Sequence, residues 1–292
     1  MVMFEHILVA TDLSAASEAV CRNLLGLKKL GARRVLLVHA LDIRHMEVMK
    51  YELGPLVEPR LLQLKGIVEA QGFEVETQIR SHSPAWEVKL AAREQSCSLI
   101  VIGTHGATLA RDVLLGSVAH DLLQSAEKPV LLLPLNILAE KEEERRQVIC
   151  GDLLRHLLFA TDFSDVAEKA FDTLRGLVGA AKAEVTLYHV QDKARIEPHL
   201  KDKLEEFNRV DSERLARLEK ELLSGGAPKV NNVIDYGRPA KLLVERANSG
   251  AFSLLVMGNQ GRGYLAEAFL GRVAHHVAHH ADIPVLLVPM AA

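Results

Sequence analysis

The feature that most constrains this chain is internal: it is written twice. HILVATDLS at 6–14 returns as HLLFATDFS at 156–164, and VLLVHALD at 35–42 as VTLYHVQD at 185–192, both at an offset of 150. SLIVIGTHG at 98–106 returns as SLLVMGNQG at 253–261, and KPVLLLP at 128–134 as IPVLLVP at 283–289, now at an offset of 155. Without a gap, 81–134 and 236–289 share 19 of 54 positions, far above chance. A period near 150 residues is domain-sized, so the sequence predicts a duplicated domain and not a solenoid. The expected domains run 1–138 and 153–292, joined by a charged linker over 139–152 that begins AEKEEERRQ, with the boundary near Val148.

Inside each copy, short apolar runs alternate with segments of helical period. In the first copy the runs are ILVAT, VLLVHA, VETQI, SLIVIG and PVLLLP. All but VETQI are continuously apolar, as suits strands buried on both faces of a parallel sheet. SAASEAVCRNLLGLKKLG predicts a helix closed by Gly31, and KDKLEEFNRVDSERLARLEKELLSGG places Leu204, Phe207, Leu215, Leu218 and Leu222 on one face. This alternation builds βαβ units and hence an open, doubly wound α/β domain. In such sheets ligands bind beyond the carboxyl ends of the strands, at the topological switch point.

Composition excludes several classes of function. The net charge is −3, and basic and acidic residues number 17 and 19 in 1–150 against 18 and 19 in the remainder. Neither half carries the basic excess of a nucleic-acid binder. Cys21, Cys97 and Cys150 are too few and scattered for a disulfide framework or a zinc site. The N-terminal MVMFEHILVATD lacks a signal-peptide pattern, and no apolar stretch is long enough to cross a bilayer, so the expectation is a cytoplasmic protein without membrane contact.

At the strand ends, Ala10-Thr11-Asp12 and Ala160-Thr161-Asp162 place a carboxylate just past a buried strand, either to cap the next helix or to bind a ligand group. The fourth run enters Gly103, Gly106 follows after two residues, and Gly116-Ser117 follows after nine more. Glycine there lets backbone N–H groups approach an anion, and Ser117 opens a helix whose N-terminus favours phosphate. Its hydroxyl either caps that helix or donates to a phosphate oxygen. Neither GxxxxGK[ST] nor GxGxxG is present, and 103–117 contains no lysine. The loop suits phosphate binding by backbone donors. It lacks the lysine, general base and arginine finger of rapid phosphoryl transfer, so the chain is not expected to be an enzyme beyond slow ATP hydrolysis.

The G-2x-G-9x-G-[ST] spacing, a first strand ending in Asp and the closing PVLLLP strand together resemble the universal stress protein family, in tandem form. The resemblance implies two Rossmann-like domains, each with five parallel strands. It also implies ATP binding in one branch of the family, often with Mg or Mn, and no nucleotide in another. Carried onto this chain, it gives Ala10, Thr11, Asp12 and Ala40 to adenosine, and Gly103, His105, Gly106, Gly116, Ser117 and Val118 to the phosphates. The second copy retains Asp162, Val190, Gly258, Gly261 and Gly271, but Arg272 replaces the hydroxyl residue. Arg272 either weakens the second site or pairs with phosphate as a charge-assisted donor. The implied role is a stress-response sensor or regulator, with a non-nucleotide scaffold acting on an unidentified protein partner as the rival. Family members commonly associate through the last strand, which would make a homodimer or an internal pseudo-dimer.

Three further signals weigh less. His275, His276, His279 and His280 form two i, i+4 pairs in one predicted helix, read first as a surface feature and second as a metal clamp. His39 and His189 read as packed and hydrogen-bonded. Asp12, His105 and Ser117 suggest a triad, but no GxSxG elbow accompanies them.

Overall fold

The continuous apolar runs become parallel strands because they have no polar residue to turn outward. The computed structural model describes residues 3–41, 47–104, 115–134, 152–197, 201–261 and 270–290, and the chain divides into the units Met1–Asp152 and Leu153–Met290. The first unit contains β1 (His6–Ala10), α1 (Ala15–Arg22), β2 (Arg34–Leu41), α2 (Glu47–Glu69), β3 (Glu74–Ser81), α3 (Pro84–Glu94), β4 (Leu99–Gly103), α4 (Ser117–Ser125) and β5 (Val130–Leu133). Its sheet has the order β3-β2-β1-β4-β5, with every pairing parallel. The second unit repeats this plan with β6 (His156–Ala160), α5 (Asp165–Ala181), β7 (Glu184–Asp192), the short α6 (Lys193–Ile196), α7 (Leu204–Ser224), β8 (Val230–Gly237), α8 (Pro239–Ala247), β9 (Leu254–Gly258), α9 (Arg272–His280) and β10 (Val285–Val288). Its order is β8-β7-β6-β9-β10, again all parallel. The architecture is therefore two tandem Rossmann-like, doubly wound α/β domains with five parallel strands each.

Burial explains which strands were easiest to read. Ile7, Leu8 and Val9 of β1 are fully enclosed. Each such side chain contributes about 1.5–3 kcal/mol of transfer free energy. VETQI becomes β3 at the far side of β2, where exposed Glu74 and Glu76 flank buried Val75, and this produces its mixed pattern. A chain slip by one residue there would exchange the buried and exposed sets.

One expected helix is broken. The segment from Ala15 to Gly31 forms α1 only as far as Arg22, and a tighter 3-10 turn covers Leu25–Leu30 before Gly31 at φ 95°. Asn23 is the C-cap, with its backbone N–H on the Val20 carbonyl and its side-chain amide on the Ala19 carbonyl at 2.8 Å. The corresponding α5 has Thr173 at that position and runs 17 residues without interruption.

In each unit the strand order reverses between the first and fourth strands, β1 and β4 or β6 and β9. The loops that leave those strands converge there, and they carry the two candidate motifs.

Candidate functional site

The turn after the first strand is built twice in the same way. Leu13 and Phe163 adopt left-handed φ angles of 63° and 58°, unusual for side chains of that bulk. The preceding threonines hold them there. Leu13 N donates to Thr11 Oγ1 at 3.0 Å, and Phe163 N to Thr161 Oγ1 at 2.9 Å. Asp12 Oδ1 accepts from Ser14 N at 3.0 Å and Ser14 Oγ at 2.5 Å; Asp162 Oδ1 repeats both contacts at 3.1 and 2.6 Å. The caps of α1 and α5 are consequently Ser14 and Ser164, which accept from Ser17 N and Ala167 N. The aspartates orient those caps instead of supplying them. Asp12 is exposed, whereas Asp162 is only partly so.

The second motif closes a ring at its base. Gly116 N donates to the Thr104 carbonyl at 2.7 Å, and Gly271 N to the Asn259 carbonyl at 2.8 Å. The residues bracketing each glycine loop are thereby fixed at the switch point. Gly116 and Gly271 then act as N-caps with extended backbone and no side-chain cap. The first intrahelical bonds are His120 N to the Gly116 carbonyl and His275 N to the Gly271 carbonyl. The three amides from Ser117 to Ala119, and those from Arg272 to Ala274, precede the start of the ladder. They carry the positive end of the helix dipole, which favours an anion by about 0.3–1 kcal/mol. Ser117 and Arg272 are both exposed at this end.

Glycine is required at close quarters in the second loop. A Cβ on Gly258 would lie 2.8 Å from Val166 Cγ1 and 3.3 Å from the Val166 carbonyl carbon, and one on Gly261 would lie 2.6 Å from Asp162 Oδ2. The loop residue Gly261 thus rests against the strand-end carboxylate, bringing the two sequence motifs together. Of the other expected site residues, Ala10 and Thr11 are buried, while Ala40, Gly103, Val118 and Val190 are half-buried. His105 and Gly106 lie outside the described residues, as does 139–151 of the expected linker.

His39 and His189 have structural partners. His39 Nδ1 donates to the Thr11 carbonyl at 2.9 Å, and His189 Nδ1 to that of Thr161 at 2.8 Å, tying the second strand to the first-strand turn. Cys21 and Cys97 are buried, and burial pushes their thiols up to about 12 and about 11, so neither offers a thiolate nucleophile.

Sequence reasoning missed the side chains that join the helices over the first-strand turn. Glu18 of α1 pairs with Arg22 and with Arg60 of α2. Matching the buried stripe Leu61, Leu64, Val68 to Leu215, Leu218, Leu222 puts Arg60 level with Arg214, as Glu18 is with Glu168. Yet Arg214 lies over the Phe163 ring at 5.1 Å and reaches Asp211 Oδ1 at 3.4 Å. A cavity of about 290 Å³ lies in that place, lined by Phe163, Glu168, Phe171, Arg214 and Arg217 among others. Leu13 against Phe163 was the available signal, since only the aromatic ring offers a face to the guanidinium.

With this geometry in view, the comparisons with known proteins are consistent across the chain. The model of the universal stress protein family matches twice, at residues 3–134 and 154–289. A universal stress protein of Mycolicibacterium smegmatis is 30% identical over 223 residues, covering 75% of this chain and 70% of its own. One from Methanocaldococcus jannaschii is 26% identical over 155 residues, covering 45% of this chain and 96% of its own. The crystal structure of a universal stress protein from Archaeoglobus fulgidus superposes with a TM-score of 0.77 at 22% identity, covering 98% of both chains, which supports the fold.

Proposed function

The chain belongs to the universal stress protein family, and from that premise we propose that its first unit binds an adenine nucleotide, ATP with Mg or Mn, and acts as a stress-response sensor or regulator. The observation that carries this reading is the glycine-capped start of α4. The ring closed by Gly116 N on the Thr104 carbonyl presents the Ser117, Val118 and Ala119 amides outward, beside the exposed Ser117 hydroxyl. That donor set suits phosphate oxygens. Thr11, Asp12 and Ala40 lie at the ends of β1 and β2, where they would hold adenosine. The divalent cation would neutralise phosphate charge, which 103–117 does with only Arg111.

Binding transmits a signal only by favouring one state of the unit over another, and only by the difference in affinity for the two. The second unit favours a different reading. Arg272 stands where Ser117 does in the first, and Gly261 rests against Asp162. We assign that unit a weakened site and a scaffold role through protein contacts.

Calorimetry of the nucleotide-stripped full chain with ATP and Mg tests both assignments. The expected result is one site per chain, abolished by Gly116→Val and retained in Gly271→Val. Two sites would make Arg272 a phosphate ligand, and the absence of any site would overturn the nucleotide reading. Hydrolysis is expected to stay near background, because 103–117 contains no lysine and, among the described residues, no positioned base or arginine finger accompanies the loop.

A further inference from the structure

The fourth helix of each unit has the same buried face and a different outer one. In α9, Ala274, Val277 and Ala278 are buried, and the opposite face carries His275, His276, His279 and His280, all half-buried. In α4 the matching positions hold His120, Asp121, Gln124 and Ser125. Four of the 13 histidines in the chain thus fall within six residues, on one side of one helix. The helix fold explains the buried alanines and valine but not this concentration. Histidine is a poorer helix former than the glutamine it replaces.

Their arrangement is that of ligands. The His275 and His279 rings have centroids 4.3 Å apart, and so do those of His276 and His280. His275 and His279 offer ring nitrogens within 4.8 Å of one another. Two imidazoles at i, i+4 on one helix face can meet the same ion, with metal–nitrogen distances of about 2.0–2.1 Å after a small ring rotation. We propose that the outer face of α9 binds a borderline transition-metal dication, with His275 and His279 as its seat. Neutral imidazole selects zinc, nickel or copper over magnesium, which prefers oxygen. The site is therefore chemically separate from any cation that accompanies nucleotide. Neither an acid nor a cysteine lies on this helix.

The test uses the chelator-treated full chain with Zn²⁺ alone, followed by equilibrium dialysis in a non-coordinating buffer. Saturable uptake is expected in the parent chain. It should weaken about tenfold or more in H275A/H279A, and stay within about twofold in H276A/H280A. Alanine is the best helix former, and unchanged urea midpoints would show that the variants fold. With Cu²⁺ alone, electron paramagnetic resonance of the parent should show two imidazole nitrogens and that of H279A only one. Uptake that survives H275A/H279A, or none in the parent chain, overturns the proposal.

Discussion

The two glycine loops hold the same ring with different side chains, and the difference separates what the fold needs from what a ligand needs. Both close through one amide on one carbonyl, and both hand three helix amides outward. Around the first ring stand Thr104, Ser117 and an exposed Asp12; around the second stand Asn259, Arg272 and a partly covered Asp162. Asn259 is buried, and its Oδ1 has no hydrogen-bond partner among the described residues. A buried acceptor in that state costs about 1–3 kcal/mol. The backbone of the ring is thus retained in the unit where the side chains have drifted, which marks the ring as part of the fold. On the proposed reading, ligand selectivity would rest with the residues hung upon it.

Steric substitution should break the comparison most strongly. Gly258→Val drives a methyl-bearing carbon into the Val166 side chain, 2.8 Å from its Cγ1, and should destabilise the second unit by about 1–3 kcal/mol. Urea unfolding should then split into two transitions, with only the second-unit transition moved to lower denaturant. A single transition shifted as a whole would show that the units unfold together.

The serine caps should sharpen it at smaller scale. Ser14→Ala and Ser164→Ala each remove an N-cap and should cost about 1 kcal/mol. Nearly equal losses in the midpoint are expected, because the threonine, aspartate and serine-cap bonds repeat in both turns, the first adding Ser17 Oγ between Thr11 Oγ1 and the Ser14 carbonyl. A loss in only one unit would mean that Asp12 and Asp162 are not equivalent.

The smallest effect concerns the orphan acceptor. Asn259→Thr restores the residue of the first ring and should raise second-unit stability by up to about 1 kcal/mol. A midpoint that falls would place an unrecognised donor against Asn259 Oδ1.

Much of the fold was legible because the repeat supplied a second reading of every element. Strand runs such as SLIVIG and SLLVMG are wholly apolar and admit few alternatives. The broken α1 was hidden because Ala19, Leu24, Leu27 and Leu30 keep a helical spacing across the break. The close packing at Gly258, Gly261 and Gly271 was legible because glycine spacing reports backbone approach. The roles of Thr11, Ser14 and Thr104 were not, since a hydroxyl or carbonyl partner depends on three-dimensional closure. The change from a Glu18–Arg60 bridge to Arg214 over Phe163 lay still deeper, in residues tens of positions apart.

The caps of α1 and α4 differ in ownership. Ser14 comes with the chain, so the start of α1 is as stable as its sequence makes it. Gly116 brings no side-chain cap, and on the proposed reading a bound anion would complete the first turn of α4. Binding to the folded state adds stability in proportion to the logarithm of ligand concentration over Kd once that ratio is large. On that reading part of the rigidity of this unit would be held outside the polypeptide, and its melting temperature would become a gauge of the solution around it.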